Sequence, residues 1–448
     1  MHTIVAMSTP DARAAIAVVR LSGDDAIAVA DTVFRARSGR RLASLRGYRA
    51  ALGDLVVGGE ALDEGVALVM RAPRSYTGED VVELSCHGNP AVAHALVRAC
   101  IEAGAVSAGH GEFTRRAFEN GKFDLTQAEA VAELIAAEGD AARRAALRRR
   151  SGALGQRVDA VCEALSLVAA NLAVWSDYPE ETDAPALTAE TMAADLGAQR
   201  CILEALAAGH RAGKLVQNGI TAAIVGRPNV GKSTLLNRLT GQERAIVTDV
   251  AGTTRDVLEA AAEVRGIRLR LLDTAGIREA SDQIEKIGVE RARKALEEAD
   301  LVLLVLDVSE PLTGEDRALL AAVEDRPHVI IANKADLAAA PAGLPAGSLL
   351  ISAKRGDGLE ALEDAVCAAL GLTATQDAEL IADERQYGCV LRAIAALREA
   401  EQALAGGITL DAAGILLDEA LDALGELTGR TASALTLEQV FEKFCVGK

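Results

Sequence analysis

The strongest constraint on the fold is the segment Gly-Arg-Pro-Asn-Val-Gly-Lys-Ser at 226–233, which lies between an apolar run and a helical pattern. The apolar run, Ile220–Val225, predicts a buried strand, so the segment has the strand–loop–helix context of a phosphate-binding P-loop. In such a loop the backbone N–H groups surround phosphate, Lys232 reaches the β- and γ-phosphates, and the Ser233 hydroxyl binds Mg²⁺. The segment therefore predicts a nucleotide-binding α/β domain.

Residues 220–371 alternate between strand and helix patterns. Strands are predicted at 220–225, 268–272, 301–306, 329–332 and 349–352, with 257–265 as a candidate edge strand. Their continuous apolar runs are typical of a parallel sheet that is covered on both faces.

Four further motifs follow the P-loop in the order found in a Ras-like GTPase. Thr254, in Gly-Thr-Thr-Arg-Asp, would contact Mg²⁺ and the γ-phosphate. Asp273, in Asp-Thr-Ala-Gly, would hold Mg²⁺ through water, and the Gly276 N–H would contact the γ-phosphate. Asp336, in Asn-Lys-Ala-Asp, can accept from guanine N1–H and N2–H, which adenine does not offer. Ser-Ala-Lys at 352–354 would support guanine O6, so the ordered set indicates GTP rather than ATP.

The motifs together define the predicted nucleotide site, with Mg²⁺ bound by Ser233 and Thr254. Its residues are Asn229, Val230, Gly231, Lys232, Ser233, Thr234, Thr248, Asp249, Val250, Ala251, Gly252, Thr253, Thr254, Asp273, Thr274, Ala275, Gly276, Asn333, Lys334, Asp336, Ser352, Ala353 and Lys354. Ras-type enzymes position the attacking water with a glutamine just after Asp-Thr-Ala-Gly. Here Ile277 holds that position, so another group has to orient the water.

The rest of the chain divides into a mixed and a helical part. Residues 1–118 show strand patterns at 16–21, 66–70 and 81–85 and helical patterns at 24–35 and 91–103. Helical periodicity runs from a predicted capping box of Thr126 and Glu129 to about 212, and returns at 391–404, 410–424 and 437–444. We predict an α/β multidomain protein. Its domains are an α+β N-terminal domain at 1–118, a discontinuous helical bundle at 119–215 and 373–448, and an inserted Ras-like P-loop domain at 216–372.

Composition excludes several classes of protein. The net charge of −18 argues against non-specific binding of polyanions. The seven scattered cysteines include no Cys-x-x-Cys pair, which argues against a disulfide framework or zinc site and predicts a reducing, cytoplasmic compartment. No apolar run reaches the ~18 residues of a membrane span, and the N-terminal residues do not match a signal peptide. We therefore expect no stable membrane association.

Six segments make the chain similar to the TrmE/MnmE family of tRNA-modification GTPases, and the resemblance covers essentially the whole chain. Three of them lie around the nucleotide motifs, at 226–233, 246–256 and 273–285. The other three are Tyr-Thr-Gly-Glu-Asp-Val-Val-Glu-Leu at 76–84, Gly-Glu-Phe-Thr-Arg-Arg-Ala-Phe at 111–118 and Phe-Cys-Val-Gly-Lys at 444–448. These three are the more specific, because related GTPases lack them.

For the GTPase domain, the resemblance implies activation by K⁺ and dimerisation across the GTPase domains. The residues that match the family's K⁺ site are Asn229, Thr248, Val250 and Thr253. A cation beside the phosphates neutralises developing charge, as an arginine finger does elsewhere. Glu285 matches the family's catalytic glutamate, which acts as general base or orients water.

For the N-terminal domain, the resemblance implies a dimerising fold that binds a tetrahydrofolate derivative, either 5-formyl- or 5,10-methylene-tetrahydrofolate. The matching residues are Arg20, Glu83, Lys122 and Lys448. A pterin ring offers donors and acceptors to a carboxylate, and the folate glutamate tail suits arginine or lysine. The implied activity is addition of carboxymethylaminomethyl to carbon 5 of the wobble uridine of certain tRNAs. The implied partner is an FAD protein of the MnmG type, in a heterotetramer or larger assembly. GTP hydrolysis would drive a conformational cycle.

Several interpretations stay open at this point. Cys445 lies near Lys443 and Lys448, which favours a reactive thiolate, but a small buried side chain fits the pattern as well. The arginines between 143 and 150 form a basic run that suits either tRNA phosphate or a solvated helix face. A ribosome-assembly GTPase shares the P-loop asparagine and the missing glutamine, although such proteins usually carry a basic RNA-binding domain. A membrane-remodelling GTPase would need a basic amphipathic anchor, which the sequence does not show.

Overall fold

The computed structural model describes residues 2–177, 189–241, 259–273, 297–337, 343–372, 381–405 and 410–448. The chain divides into two compact units. Unit 1 contains Met1–Ala132, Arg150–Glu163 and Leu421–Lys448, and unit 2 contains Glu133–Arg149 and Ala164–Ala420.

Unit 1 is built on a seven-stranded sheet in the order β3-β4-β5-β6-β2-β1-β7. Its strands are β1 (Ile4–Met7), β2 (Ile16–Ser22), β3 (Phe34–Ala36), β4 (Arg49–Val57), β5 (Glu60–Met70), β6 (Val81–His87) and β7 (Val106–Ser107). The neighbours pair antiparallel, except that β1 and β7 are parallel. The helices α1 (Ala26–Val33) and α2 (Pro90–Glu102) contribute apolar residues to the core on one face of this sheet.

Shorter helices complete unit 1. They are α3 (Glu112–Glu119), the first part of α4 (Leu125–Ala136) and the C-terminal α14 (Ala434–Glu442). Leu125 of α4 packs with Val440 and Phe441 of α14 and with Phe444 in a separate apolar cluster. The chain downstream of α14 is thereby brought back against the domain that the N-terminal residues form.

The predicted start of α4 is wrong. The helix begins at Leu125, and Thr126 and Glu129 are buried inside it rather than forming a capping box. Asp124 takes the capping role: its Oδ1 accepts the Gln127 N–H at 2.9 Å, and Gln127 Oε1 accepts the Asp124 N–H at 3.0 Å. The earlier start places Leu125 in the apolar core, and this burial decides between two similar sequence patterns.

Unit 2 contains a six-stranded sheet in the order β13-β12-β11-β8-β10-β9. The strands are β8 (Ile220–Val225), β9 (Glu259–Val264), β10 (Ile267–Asp273), β11 (Leu301–Asp307), β12 (His328–Asn333) and β13 (Leu349–Leu350). All pairs are parallel except β9 with β10. Every residue of β11 is buried, as predicted for a central strand covered on both faces. The predicted edge strand at 257–265 is confirmed as β9.

The helices of unit 2 lie before, within and after this sheet in the chain. They are α5 (Asp140–Arg150), α6 (Ala153–Asp177), α7 (Ala189–Ala208), α8 (His210–Asn218), α9 (Lys232–Thr240), α10 (Gly314–Val323), α11 (Leu359–Ala369), α12 (Glu384–Ala405) and α13 (Leu410–Thr428), of which α5, α6 and α13 extend into unit 1. Helices α7 and α12 pack together, and the Arg200 guanidinium contacts the Glu401 carboxylate at 2.7 Å. Within the described ranges, no helix is long and apolar enough to cross a membrane.

Candidate functional site

The P-loop joins β8 to α9 and contains two glycines that no other residue could replace without strain. Gly226 has φ +152° and Gly231 has φ +101°. A Cβ on Gly226 would overlap the carbonyl oxygen of Val305 in β11, and one on Gly231 would overlap Asn333 Nδ2. The loop therefore passes close to its neighbours and leaves its outer side to a ligand.

The side chains proposed to bind phosphate and Mg²⁺ lie at this loop. Lys232 Nζ donates to the carbonyl oxygens of Gly226 and Arg227, both at 2.7 Å, so the ammonium group is held over the loop. Ser233 and Thr234 are exposed in the first turn of α9, where the helix dipole and the N–H groups of a helix N-terminus favour an anion. Asn229 is exposed as well and has a left-handed φ of +64°.

Asn333, at the end of β12, connects the P-loop to the Ser-Ala-Lys loop. Its Nδ2 donates to the Val230 carbonyl at 2.8 Å, and its Oδ1 accepts the Ala353 N–H at 3.0 Å. Asn333 is only 3% exposed, so both amide groups are used inside the protein rather than by water. The residue thus holds the P-loop and the Ser-Ala-Lys loop in a fixed relation.

The residues predicted to recognise the guanine base lie next to Asn333. Ser352 Oγ donates to Asp336 Oδ1 at 2.7 Å. This hydrogen bond lowers the pKa of Asp336 below its ordinary value, so the carboxylate is ionised at neutral pH and can accept two N–H groups. Lys354 is exposed beside it, while Ser352 and Ala353 are buried.

An aspartate that the sequence analysis did not single out supports Lys334. Asp307, the last residue of β11, accepts from Lys334 Nζ at 2.5 Å and from the Ser309 N–H at 2.9 Å. Burial raises the pKa of Asp307, but these hydrogen bonds outweigh it and the net shift is downward. The sequence feature that could have identified Asp307 is its position at the end of a predicted strand, which it shares with Asp273.

A second buried aspartate supports the P-loop from the side. Asp316 of α10 is 1% exposed and accepts from Arg227 Nε at 2.8 Å. It also accepts the Thr313 N–H, so Thr313 at the N-cap and Asp316 at the third helical position form the capping box of α10. The pattern Thr-x-x-Asp at 313–316 is a recognisable helix start, but its contact with the P-loop is visible only in the fold.

Part of the predicted nucleotide site lies outside the described residues. The residues that lie outside are Thr248, Asp249, Val250, Ala251, Gly252, Thr253, Thr254, Thr274, Ala275, Gly276 and the proposed catalytic Glu285. Asp273 ends β10 in register with Ile224 of β8. The backbone of Asp273 therefore lies at the same sheet edge as the P-loop.

In unit 1, two charged residues predicted from the family resemblance pair directly. Arg20 of β2 lies opposite Glu83 of β6 in the sheet register, and its guanidinium contacts the Glu83 carboxylate at 2.7 Å. The Arg20 Cζ lies 5.6 Å from the ring centroids of both Tyr76 and Phe113. An ion pair that is partly buried against aromatic rings has a fixed geometry, which suits recognition of a planar polar ligand.

The C-terminal residues reach this pair. Arg20 contacts the Gly447 carbonyl at 3.4 Å, and the Phe113 N–H donates to the Lys448 carbonyl at 3.2 Å. Burial and the charge of Arg20 lower the pKa of Lys448, partly offset by Glu83. Gly447 has φ +94°, and a Cβ there would overlap the Met7 carbonyl. The last two residues therefore lie directly against the sheet.

Two other predicted residues are placed differently. Lys122 is exposed, and its Nζ donates to the Pro73 carbonyl at 2.9 Å rather than to the Arg20–Glu83 pair. Cys445 is exposed, which contradicts the interpretation as a buried apolar side chain. Its carbonyl, rather than its thiol, contacts the Gly111 N–H at 3.4 Å.

Comparison with known proteins covers both units. A family model described as "MnmE helical domain" matches residues 125–445, and one described as "GTP-binding protein TrmE N-terminus" matches residues 3–122. The tRNA modification GTPase MnmE of Streptococcus thermophilus is 41% identical over 452 residues, with 100% of this chain and 98% of that protein covered. The chain belongs to the MnmE family of tRNA modification GTPases. The MnmE of Levilactobacillus brevis is 40% identical over 458 residues, with the same shares covered.

Solved structures match smaller parts of the chain. Aquifex aeolicus Era bound to GDP.AlF4⁻ is 29% identical and matches 40% of this chain and 66% of that chain, with a TM-score of 0.27. The G domain of the T. maritima FeoB transporter is 28% identical and matches 34% of this chain and 98% of that chain, with a TM-score of 0.26.

Two segments that this chain shares with the MnmE family meet in unit 1. Tyr76 and Thr114 share a hydrogen bond of 2.9 Å between their hydroxyl groups. Glu79 contacts the buried Arg116 at 3.1 Å. Segments 76–84 and 111–118 are therefore joined by polar contacts, and Tyr76, which takes part in them, lies beside Arg20.

Three of the five arginines between 143 and 150 form ion pairs within the protein. Arg143 and Arg144 contact Asp140 at 2.6 and 2.8 Å. Arg149 is 5% exposed and pairs with Glu133 at 2.6 Å. Arg143 and Arg144 are thus on a solvated helix face, paired with Asp140, whereas Arg149 is buried and unable to reach tRNA phosphate.

Proposed function

We propose that this MnmE-family chain is a K⁺-activated GTPase that acts with a flavin-containing partner of the MnmG type to modify tRNA. The modification is addition of carboxymethylaminomethyl to carbon 5 of the wobble uridine, in the cytoplasm. The observation that carries the proposal is the presence in one chain of Asp336, oriented by Ser352 in the predicted guanine site, and of a separate Arg20–Glu83–Lys448 cluster. The proposed domain limits are 1–118, 119–215, 216–372 and 373–448.

The nucleotide site fits GTP and Mg²⁺ by the chemistry of its donors. Ser233 presents a hydroxyl at a helix N-terminus and Asp273 ends a neighbouring strand, and hydroxyl and carboxylate oxygens suit Mg²⁺. Asp336, oriented by Ser352, selects guanine. Bound Mg²⁺ would supply charge neutralisation at the phosphates, and Lys232 would add its own positive charge.

Potassium activation rests on Asn229 and on the absence of a water-positioning glutamine. Asn229 is exposed at the P-loop in a left-handed conformation, so its amide oxygen is available to a cation beside the phosphates. We expect GTP turnover at least about tenfold faster in K⁺ than in Na⁺, because the two ions differ in size and the loop oxygens fit one of them. The test is the steady-state rate in the two salts at equal ionic strength and at protein concentrations that allow dimers. Equal rates would contradict the proposal.

The Arg20–Glu83–Lys448 cluster is proposed to bind the tetrahydrofolate derivative that donates the one-carbon unit. Glu83 is 24% exposed and already oriented by Arg20, so its carboxylate can accept pterin N–H groups. Lys448 is held close by contacts of the C-terminal residues and adds a positive charge for the folate glutamate tail. Tyr76 and Phe113 supply aromatic surface beside the pair.

Glu83→Gln is expected to weaken binding of 5-formyltetrahydrofolate about tenfold or more, since a charged acceptor is replaced by a neutral one of the same shape. Isothermal titration measures the affinity. The matched control is Glu64→Gln, because Glu64 pairs with Arg37 in the same unit but is 49% exposed. No heat from the unmutated protein, or equal affinity for the Glu83 and Glu64 variants, would count against this site.

A homodimer is proposed from an apolar patch on the open face of the unit 1 sheet. Leu52, Val66 and Val18 lie on one face through the registers Leu52 to Val66, Val66 to Ser85 and Ser85 to Val18, and Ile16 shares that face. Ile16, Leu52 and Val66 are 59%, 47% and 37% exposed. Contiguous exposed apolar side chains on a sheet favour association with a second copy.

The decisive experiment is mass spectrometry of tRNA nucleosides from a strain that lacks this gene. We expect loss of 5-carboxymethylaminomethyl-type uridines, restored by the intact gene but not by Asp336→Asn. That variant weakens guanine recognition, because an amide cannot accept from both N–H groups. Asp325→Asn, at an exposed aspartate of the same domain, is the control and should restore the modification. An unchanged nucleoside profile would refute the modification role and favour a ribosome-assembly GTPase.

A further inference from the structure

The hairpin of β9 and β10 lies between two of the predicted nucleotide-binding motifs of the GTPase domain. In sequence it connects the Gly-Thr-Thr-Arg-Asp motif at 252–256 with the Asp-Thr-Ala-Gly motif at 273–276. Val264 pairs with Ile267, so Arg265 and Gly266 form a two-residue turn, with φ of +49° and +83°. Both motifs are proposed to contact the γ-phosphate, and both adjoin the hairpin in sequence, since β9 begins at Glu259 and β10 ends at Asp273. We therefore expect a change at either motif to be transmitted to the hairpin.

The turn of the hairpin contacts the amino-terminal end of α5, outside the predicted GTPase domain. The Ala141 N–H donates to the Gly266 carbonyl at 2.8 Å, which satisfies one of the unpaired N–H groups of the helix. Glu138 forms an ion pair with Arg268. A carbonyl oxygen at a helix N-terminus is also favoured by the helix dipole.

Gly139 makes this close approach possible. A Cβ at residue 139 would lie 2.8 Å from the Gly266 carbonyl oxygen and 3.2 Å from the Arg268 nitrogen. Both are backbone atoms, so a side chain here would force the helix end and the hairpin apart. The lack of a side chain at Gly139 thus allows the helix end and the hairpin to approach each other.

The hairpin is held from two sides. Ala141 and Ala145 of α5 pack against the apolar core that contains Val264 and Ile267. On the other side, Arg265 contacts Asp364 of α11 at 2.7 Å. The contact with α5 therefore joins this turn to a helix that precedes the predicted GTPase domain.

We propose that Gly139 and Ala141 are positioning residues for the GTPase: the amino-terminal end of α5 sets the position of the β9–β10 hairpin, and exchange of GTP for GDP changes the strength of the Ala141–Gly266 contact. The inference rests on the proposed binding of GTP at the P-loop. Since coupling between two sites is reciprocal, weakening the contact has to change the relative affinity for the two nucleotides.

The variant Gly139→Ala tests this, with Gly388→Ala as the matched control. Gly388 lies in α12, and a Cβ there would meet no atom within 4 Å. We expect Gly139→Ala to change the ratio of affinities for a slowly hydrolysed GTP analogue and for GDP about fivefold or more, and to change kcat. Gly388→Ala should leave both within twofold. Circular dichroism and the melting temperature report whether each variant is folded.

Hydrogen exchange of the unmutated full chain provides a test that does not depend on a variant. The Ala141 amide should exchange at rates that differ at least fivefold between the complexes with the GTP analogue and with GDP. Equal exchange, or an affinity ratio unchanged in a folded Gly139→Ala protein, would overturn the proposal. Nucleotide binding in the same titrations reports on the P-loop site separately, so a failure of coupling is distinguishable from a failure of GTP binding.

Discussion

Replacing Gly231 by alanine is expected to lower the affinity for GTP about 100-fold. The φ of +101° is strained for any residue with a Cβ, at about 1–3 kcal/mol. The new methyl group would also overlap Asn333 Nδ2. Displacing Asn333 removes its buried hydrogen bonds to Val230 and Ala353, at about 1–3 kcal/mol. A 100-fold change corresponds to about 2.7 kcal/mol, within the sum of these terms.

The measurement is titration with a slowly hydrolysed GTP analogue, and Gly314→Ala is the control. Gly314 is in the same domain, at the start of α10, and a Cβ there would meet no atom within 4 Å. The control should bind with unchanged affinity. A Gly231→Ala protein that bound the analogue within threefold of the unmutated protein would show that the P-loop is not the nucleotide site.

The second large effect is expected at Glu285, which is proposed to act as general base or to orient the attacking water. Glu285→Ala should lower kcat for GTP hydrolysis about 100-fold or more, because positioned acid–base groups contribute at least that much. Affinity for GTP should stay the same, since the role is confined to the transition state. Single-turnover kinetics and nucleotide titration separate the two quantities.

Glu324→Ala provides the comparison for charge loss alone, because Glu324 is an exposed glutamate at the end of α10 in the same domain. It should hydrolyse GTP at the unmutated rate. Equal losses of affinity and turnover in Glu285→Ala would assign Glu285 a structural role. Unchanged turnover would show that Glu285 does not replace the water-positioning glutamine, whose position Ile277 occupies.

The sequence was sufficient for the strands of the GTPase domain. Continuous apolar runs predicted β8, β10, β11 and β12 to within one residue at each end, because central parallel strands are buried along their whole length. In unit 1 the same reasoning found parts of β2, β5 and β6 but missed β1, β3, β4 and β7. The antiparallel β4 alternates only weakly in polarity, with an irregularity between Leu55 and Val56, so its period is hard to read.

The sequence by itself determined which chemical groups the chain carries: the P-loop, the guanine-recognition motifs and the segments shared with the MnmE family. Tertiary structure decided which of these groups touch. The pairing of Arg20 with Glu83 depends on strand register across 63 residues of chain, and the two hydrogen bonds of Asn333 depend on how neighbouring strands end. The docking of the hairpin on α5 depends on two backbones approaching closely enough that Gly139 has no room for a Cβ. Local patterns record the preferences of single segments, whereas such contacts arise only when segments that are distant in sequence pack against one another.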